Sequence, residues 1–404
     1  MKKLITIFLC LALLWAGCFN SSAATVSMEY AEEDVFVPLE ENLQANAVIG
    51  TELEINAKSA ILMEYSTGQV LYEKNVDEKL PEASITKIMS LLLVMEAIRD
   101  GKIALDDKIT ASEYAASMGG SQIWLEPGEV MTVDELLRAT VIASANDATV
   151  ALAEAVAGSE EGFVAMMNAK AKELGMTGTN FVNSYGLDAE GHLTTAHDVA
   201  IMSCELIKHE LIRKYTTVWS DSLRGGESEL VNTNKLIRYY DGAFGLKTGT
   251  TSKAGSCLSA TAEREGLTLV AVVLGSPTSK DRFNGARKLL DYGFANYSYK
   301  EVVADTSGFY NVPVKKGTIK QVVPTVKEGF PVLLKKGEEG GITQTFELES
   351  ELTAPIKAGD TIGYVHISHN NNEIGVIPIV ALNGSERLTY GHCLARLFKS
   401  LFIL

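Results

Sequence analysis

Apolar and polar residues follow two different patterns along the chain. Between residues 59 and 292, short apolar runs of strand length alternate with longer segments in which apolar residues recur at helical spacing. The strand-like runs cover residues 60–65, 69–72, 242–250, 257–262 and 267–274, and the first two flank Thr67-Gly68 as a hairpin. This part is therefore predicted to form an α/β (α+β) fold, a sheet flanked by helices.

The helical segments carry recognisable ends. A buried helix is predicted after Pro81, with Ser84 in its first turn and Gly101 at its end. Thr132, followed by Glu135 three residues later, gives the second helix a capping-box sequence. Further helices are predicted at residues 147–157, 160–174, 195–209 and 280–292.

After about residue 299 the helical spacing stops. Short β-type runs follow at intervals of about ten residues, which is typical of a small antiparallel sandwich. They cover residues 312–314, 318–323, 332–334, 343–347, 361–367 and 373–380. We therefore predict a domain boundary near residue 300 and an all-β domain over residues 301–385.

The last nineteen residues, 386–404, are predicted to form a basic amphipathic helix. Leu394, Leu397 and Leu401 fall on one helical face, whereas Arg396 and Lys399 lie off it. Because the segment is too short and too charged to span a bilayer, we expect it to anchor the chain at a membrane surface. Packing of the helix on its own domain is the alternative.

The N-terminus has the pattern of a secretory signal peptide. Lys2 and Lys3 precede an apolar run over residues 4–16, and small residues follow up to Ala24. We predict a signal peptide over residues 1–24; the apolar run is short for the alternative, a membrane anchor, and Ala16-Gly17-Cys18 also resembles a lipoprotein cleavage box. Residues 25–57 hold eight acidic residues and no Lys or Arg, which predicts an acidic linker.

Composition narrows the classes of partner and cofactor. The chain has 404 residues, of which 46% are hydrophobic and 22% charged, as in globular proteins. Its formal charge of −15 argues against nucleic acid as the main partner. The predicted mature chain keeps Cys204, Cys257 and Cys393 without paired spacing, and the six histidines are scattered. We therefore expect no disulfide framework, no metal and no other cofactor.

The first candidate motif for chemistry is S-x-x-K at Ser84 and Lys87. Residues three apart project from one face of a helix, so an amine can touch a nucleophilic hydroxyl. Free backbone N–H groups at a helix N-terminus also favour an oxyanion beside Ser84. The pattern is short enough to occur by chance, although it occurs once in this chain.

The second motif is S-x-N at Ser144 and Asn146, between two predicted helices. It would present a hydroxyl and an amide to a cleft, but the same triplet recurs at Ser368 and Asn370 in the β-rich part. An alternative interpretation makes Ser144 the N-cap of the next helix.

The third motif is K-T-G at residues 247–249, on a predicted strand. Gly249 leaves the strand open to a nearby ligand backbone, and Lys247 with Thr248 offers a cation and a hydroxyl to a substrate carboxylate. A strand end with a solvated lysine is the alternative.

The order and spacing of the three motifs resemble the penicillin-recognising serine enzymes. Ser144 follows Ser84 by sixty residues, and Lys247 follows Ser144 by 103. Within that superfamily, residues 56–404 resemble the low-molecular-mass penicillin-binding proteins, which are serine-type D-alanyl-D-alanine carboxypeptidases. Further matching stretches cover residues 119–121, 183–188 and 195–198, with His197 where the family usually has an arginine.

The resemblance implies a fold, an activity and a set of roles. It implies a serine β-lactamase and transpeptidase-like catalytic domain over residues 58–300 with an antiparallel sheet. The activity is removal of the terminal D-alanine from peptidoglycan stem peptides, with β-lactam antibiotics as covalent inhibitors. Ser84 would be the nucleophile, Lys87 its base and Ser144 a proton relay. The substrate would be bound by Asn146, Lys247, Thr248, Gly249 and Thr250.

The resemblance also implies export to the outer face of the cytoplasmic membrane. Three alternatives stay open at this point: a serine β-lactamase, an endopeptidase that cuts cross-links, and a non-enzymatic peptidoglycan-binding protein. Against a class A β-lactamase, Ala145 stands where an aspartate is usual, and residues 177–188 contain no glutamate.

Overall fold

The structure is a computed structural model that describes residues 53–338 and 340–402. The signal peptide predicted for residues 1–24, and residues 25–52 of the predicted acidic linker, lie outside the described residues. Residues 53–57, predicted as the end of that linker, pack against the body of the protein instead. Ile55 and Ala57 are buried in a core that also holds Leu290.

The first part of the chain combines strands and helices. Its strands are β1 (Ser59–Glu64), β2 (Val70–Lys74), β3 (Lys108–Thr110), β4 (Val130–Thr132), β5 (Ser220–Leu223), β6 (Ser228–Val231), β7 (Ala243–Thr251), β8 (Gly255–Arg264) and β9 (Leu267–Ser276). Its helices are α1 (Lys87–Arg99), α2 (Glu113–Ala116), α3 (Val133–Ile142), α4 (Asn146–Ala157), α5 (Glu160–Glu173), α6 (Ala196–Ile207), α7 (Arg213–Thr216), α8 (Leu236–Tyr239) and α9 (Ser279–Asn296). The short 3₁₀ turns are Ala83–Thr86, Glu210–Ile212 and Arg224–Gly226.

A five-stranded antiparallel sheet in the order β2-β1-β9-β8-β7 organises this part. Successive side chains of a strand point to opposite faces, so the apolar strand β9 supplies two cores. Val270 and Val272 face the core that contains α1 and α6, whereas Ala271 and Val273 face the core under α9. The prediction of an antiparallel sheet flanked by helices is confirmed.

Local signals fix where the central helices begin and end. The Thr132 hydroxyl accepts from the Glu135 N–H, and the Glu135 carboxylate accepts from the Thr132 N–H, which completes the predicted capping box before α3. Gly158 ends α4 in a left-handed conformation with φ of 81°, which glycine adopts without steric cost. In the S-x-N motif, Ser144 lies in the short connection between α3 and α4, and Asn146 is the first residue of α4.

The rest of the chain is almost entirely β structure with a separate core. Its strands are β10 (Tyr297–Val302), β11 (Val312–Lys315), β12 (Gln321–Val322), β13 (Pro324–Thr325), β14 (Phe330–Lys335), β15 (Ile342–Leu348), β16 (Leu352–Thr353), β17 (Thr361–His369) and β18 (Asn372–Ala381). They form the sheets β13-β18-β17-β15, β12-β11-β16 and β10-β14. The pairing is antiparallel as predicted, apart from the parallel pair β11 and β16.

A single helix, α10 (Tyr390–Phe402), follows the β-rich part. Tyr390, Leu394, Leu397 and Phe398 expose about half or more of their surface. Across residues 53–338 and 340–402, no helix has the length and hydrophobicity that crossing a bilayer requires.

Candidate active site

Ser84 lies in a strained turn directly ahead of a buried helix. The turn Ala83–Thr86 is a 3₁₀ turn, and α1 begins at Lys87, so Ser84 precedes the α-helix instead of lying in its first turn. Ala83 has a φ of 52°, a left-handed conformation that disfavours residues with a Cβ. The Thr86 hydroxyl donates to the Ala83 carbonyl at 2.8 Å and helps to hold the turn.

Two glycines allow the backbone to approach this turn closely. A Cβ on Gly249 of β7 would lie 2.9 Å from Ser84 N and 2.9 Å from Glu82 O. A Cβ on Gly186 would lie only 2.0 Å from Ala83 O. Glycine at these positions therefore lets the K-T-G strand and the loop at residues 183–188 enclose the Ser84 backbone.

The amine of Lys87 joins the first two motifs. Lys87 is fully buried, and its Nζ lies 3.1 Å from Ser84 Oγ, 2.6 Å from Asn146 Oδ1 and 2.6 Å from the Tyr185 carbonyl. A neutral amine has two N–H donors and one lone pair. If the donors serve Asn146 and Tyr185, the lone pair is left for the Ser84 hydroxyl.

Burial and charge favour that neutral form. Burial, helped by the positive charge of Lys247, holds the pKa of Lys87 well below its usual value, although Asp147 opposes the shift. Burial and the nearby Arg282 lower the pKa of Lys247 to about 7. The two lysines therefore disfavour each other's charge, and the site can hold one amine neutral and one charged near neutral pH.

The S-x-N motif lies where α4 begins, as the sequence predicts, but its serine is not the cap of that helix. Ser144 is buried with a φ of 62°, and Ala145 takes the cap position of α4 without a side-chain cap. Among the described residues, the Ser144 hydroxyl makes no hydrogen bond to Ser84, Lys87 or Lys247. Ser144 is therefore not the helix N-cap, and its hydroxyl is left to other partners.

Asn146 is fixed on three sides. Besides accepting from Lys87, its side-chain amide donates to the Gly119 carbonyl at 2.7 Å, and its backbone N–H donates to the Ser121 carbonyl at 2.7 Å. The loop at residues 119–121, which carries the family resemblance, thus orients the Asn146 side chain towards Lys87.

The K-T-G residues lie on β7, the edge strand next to the Ser84 turn. Lys247 is buried and donates to the Thr248 carbonyl at 3.1 Å, and the Thr248 hydroxyl donates to Thr233 Oγ1 at 2.7 Å. Arg282 of α9 donates to the Gly249 carbonyl at 3.0 Å and to Thr250 Oγ1 at 2.7 Å. The helix behind the sheet thereby fixes the end of β7.

Several residues that support the site were not predicted from the sequence. Asn183 accepts from the Gly186 N–H at 2.6 Å and shapes the loop whose Tyr185 carbonyl binds Lys87. Thr233 and Arg282 contact the K-T-G strand from distant parts of the sequence. The stretch at residues 183–188 signalled the loop, whereas nothing in the sequence pairs Arg282 with residue 250.

The predicted site residues thus differ in how closely they associate. Ser84, Lys87 and Asn146 are joined through Lys87 Nζ, and Gly249 lies against the Ser84 turn. Lys247, Thr248 and Thr250 share β7, and Ser144 lies two residues from Asn146. In the described part of the chain, no group of three His, Cys, Asp or Glu side chains could hold a metal ion.

The chain matches known families over most of its length. Residues 45–278 match the peptidase S11 family, D-alanyl-D-alanine carboxypeptidase, and residues 297–387 match the C-terminal domain of penicillin-binding protein 5. The D-alanyl-D-alanine carboxypeptidase DacF of Bacillus subtilis is 45% identical over 82% of this chain and 86% of its own length. DacC of Escherichia coli is 35% identical over 82% of this chain and 85% of its own length.

Solved structures agree with these relatives. Penicillin-binding protein 5 from Haemophilus influenzae is 30% identical, with a TM-score of 0.72 over 83% of this chain and 99% of that protein. Penicillin-binding protein D2 from Listeria monocytogenes, in its ampicillin-bound form, is 33% identical, with a TM-score of 0.53 over 60% of this chain and all of that one. The chain therefore belongs to the peptidase S11 family and is a D-alanyl-D-alanine carboxypeptidase of the penicillin-binding protein type.

Proposed function

We propose that this carboxypeptidase releases the terminal D-alanine of peptidoglycan stem peptides through an acyl-enzyme on Ser84. The observation that carries the proposal is the 3.1 Å contact between Ser84 Oγ and Lys87 Nζ, whose other hydrogen bonds go to oxygen acceptors. Neutral Lys87 accepts the Ser84 proton while Oγ bonds to the carbonyl carbon of the D-alanyl-D-alanine peptide bond. The lowered pKa of Lys87 supports this base role.

The remaining motif residues receive the substrate around that reaction. The backbone N–H groups of Ser84 and Thr250 bind the oxyanion. One such donor typically lowers the activation barrier by about 3 kcal/mol. Lys247 and Thr248 bind the terminal carboxylate, which selects chain ends. Asn146, already oriented by the Gly119 carbonyl, binds the substrate backbone.

Ser144 passes the proton from Lys87 to the nitrogen of the leaving D-alanine as the C–N bond breaks. Its buried hydroxyl, without a competing hydrogen bond to Ser84, Lys87 or Lys247 in the described structure, is available for that transfer once substrate is bound. Water then hydrolyses the ester, with Lys87 as base again. β-Lactams acylate Ser84 in the same way, but the acyl-enzyme that they form is hydrolysed slowly. The ampicillin-bound form of the Listeria relative supports this inhibition.

Two substrates and three variants, one of them a control, test the chemistry. The purified protein is incubated with a fluorescent penicillin and, separately, with a peptide that ends in D-alanyl-D-alanine. Stable label and released D-alanine are expected, and both disappear in Ser84→Ala. Ser144→Ala is expected to slow D-alanine release, whereas Ser368→Ala, in the second S-x-N triplet, serves as the matched control with wild-type rates.

Each alternative function predicts a different result. Rapid loss of the label without D-alanine release would identify a β-lactamase. Cleavage of cross-linked dimers at a higher rate than of the stem peptide would identify an endopeptidase. A Ser84→Ala variant that keeps full cellular function would favour a binding protein without turnover, and an absence of labelling would refute the proposed nucleophile.

We further propose that the enzyme is exported and held at the outer face of the cytoplasmic membrane by residues 386–404. The exposed Tyr390 and Leu394 of α10, together with the amphipathic pattern of this segment, support an interfacial helix. The β domain over residues 301–385 then acts as a spacer between the membrane and the catalytic domain, residues 58–300.

Vesicle sedimentation separates anchoring from catalysis. The full chain is expected to sediment with phosphatidylglycerol-containing vesicles, whereas a chain that ends at residue 385 stays in the supernatant with unchanged hydrolysis of a small peptide. The full-length variant Leu394→Glu controls for the loss of length and is expected to bind weakly. Equal binding by all three proteins would refute the anchor.

A further inference from the structure

The carboxyl group of Glu82 lies buried behind the Ser84 turn, outside the proposed mechanism. Glu82 is two residues before Ser84 and has no solvent exposure. Within the described structure, neither of its carboxyl oxygens has a hydrogen-bond partner. His192 lies beside it, with Nε2 3.5 Å from Glu82 Oε1. A carboxylate in such surroundings is strongly disfavoured.

His192 cannot supply the missing positive charge. Its Nδ1 accepts from the Val182 N–H at 2.9 Å, so that nitrogen carries no proton. The single ring hydrogen is therefore on Nε2, which lies 2.7 Å from Thr86 Oγ1. Protonation of Nδ1 would place two N–H donors against each other, and burial lowers the pKa of His192 to about 4. His192 is thus a neutral donor to Thr86.

The other groups around Glu82 do not pair with its carboxyl in the described structure: Arg282 of α9 donates instead to the Gly249 carbonyl and to Thr250 Oγ1. Asp198 of α6 acts on the Glu82 carboxyl with like charge, and the buried Cys257 of β8 is a thiol whose own pKa is raised. The Thr86 hydroxyl favours the ionised form and opposes the effect of burial, but it gives its hydrogen to the Ala83 carbonyl. Burial prevails and raises the pKa of Glu82 to about 8.

The position of this carboxyl connects its charge to catalysis. Thr86 links His192 to the Ala83 carbonyl, so the Glu82, His192 and Thr86 side chains lie against the same turn that presents the Ser84 N–H. A negative charge there would oppose the negative oxyanion that the Ser84 N–H is proposed to bind, because buried charges are poorly screened.

We propose that Glu82 is a positioning residue that supports acylation only while its carboxyl is protonated, and that loss of this proton switches acylation off. The inference rests on the proposed acylation of Ser84. The neutral acid adds no charge beside the oxyanion and fills the space behind the turn. Ionisation introduces a repulsive charge and draws polar groups of the turn towards the carboxylate. Glu82 touches neither substrate nor reacting atoms.

The test compares acylation rates across pH in matched variants. Glu82→Gln and Glu82→Met both remove the ionisable group, one as an isostere and one with apolar packing. The second-order rate constant for labelling by a fluorescent penicillin is measured from pH 6 to pH 9 and divided by that of the wild type. The pH dependence that Lys247 and Lys87 give to the rate constant is common to all three proteins and cancels in this ratio. Glu78→Gln removes an exposed carboxylate and is the control.

The expected ratio rises with pH. For an acid with a pKa of about 8, the wild type keeps about one tenth of its protonated form at pH 9, so the ratio grows by about tenfold between pH 6 and pH 9. The Glu78→Gln ratio stays near one. A ratio that is constant with pH in the folded variants, whether near one or uniformly low, would overturn the inference and leave Glu82 with a packing role.

A measurement without catalysis gives a second criterion. The pKa of Glu82 is raised from its ordinary 4.5 to about 8, so the folded state holds a proton that the unfolded chain releases. Stability from this group is therefore complete below about pH 4.5 and is lost as pH rises to about 8. The melting temperature of the wild type is expected to fall relative to Glu82→Gln over this window; a constant difference would overturn the inference. A wild type that is never labelled would refute the proposed function itself, which Ser84→Ala checks independently.

Discussion

Replacement of Gly249 by alanine would test whether the close approach of β7 to Ser84 is needed for catalysis. The added methyl group would lie 2.9 Å from both Ser84 N and Glu82 O, and 3.0 Å from Ala83 Cβ, about half an ångström short of ordinary contact. Two of these atoms belong to the backbone, so no side-chain rotation can relieve the overlap. Either β7 or the Ser84 turn must move.

The expected loss follows from which atoms are displaced. Overpacking of this size costs about 1–3 kcal/mol of stability. Because the Ser84 N–H is a proposed oxyanion donor, its displacement is expected to slow acylation by about 10²–10³-fold, which corresponds to about 3–4 kcal/mol in the barrier. The catalytic loss should therefore exceed the stability loss.

The assay measures the rate constant for labelling by a fluorescent penicillin together with the midpoint of urea unfolding. Gly340→Ala is the control, because its methyl group would meet no atom within 4 Å and lies in the β domain. Labelling by Gly249→Ala within threefold of the wild-type rate would refute the reasoning, since the turn would then tolerate the displacement.

Three further predictions concern the supports of the site. Thr132→Ala removes the capping box and is expected to lower the free energy of unfolding by about 1 kcal/mol in urea titration with unchanged labelling; an unchanged midpoint would contradict the capping role. Arg282→Gln removes a positive charge that lowers the pKa of Lys247. Lys247 binds a carboxylate only as the ammonium ion, so KM for the peptide is expected to rise as the pH passes the Lys247 pKa of about 7. In Arg282→Gln this pKa is higher, so the rise in KM should occur at higher pH. An unchanged pH midpoint of the rise would refute the effect of Arg282 on Lys247. Asn183→Ala leaves the Gly186 N–H without its acceptor and loosens the Tyr185 carbonyl that binds the Lys87 amine. Acylation is therefore expected to slow by about tenfold, and the melting temperature reports the stability cost separately.

The sequence predicts those elements of the fold whose signals lie within a few consecutive residues. The hairpin of β1 and β2 has two apolar strands around Thr67-Gly68, and α3 has its capping box in four consecutive residues. The burial of Ile55 in the folded protein could not be predicted, because isolated apolar residues among acidic ones show neither helical nor strand periodicity. The parallel pairing of β11 with β16 joins residues about forty positions apart and has no local signature.

The candidate site was predictable in its residue types but not in its backbone. Ala83 and Ser144 both adopt positive φ, which only the surrounding tertiary structure can impose on residues other than glycine. The contacts that fix the third motif come from Arg282 and Thr233, and no spacing rule links these to K-T-G. Motif order identified the chemistry, whereas the supporting contacts required the folded chain.

The order of strands in the central sheet also determines when the site can form during synthesis. Strand β1 pairs with β9, so Ser59 lies opposite Leu274, more than two hundred residues later. Until β9 emerges, β1 has β2 as its sole partner in the central sheet, and the five-stranded sheet on which α1 packs cannot form. The proposed nucleophile, Ser84, and its proposed base, Lys87, are close in the chain from the start, but the sheet that carries β7 against them is complete only when β8 and β9 are in place. An emerging chain is therefore expected to remain inactive until almost the whole catalytic region has left the ribosome.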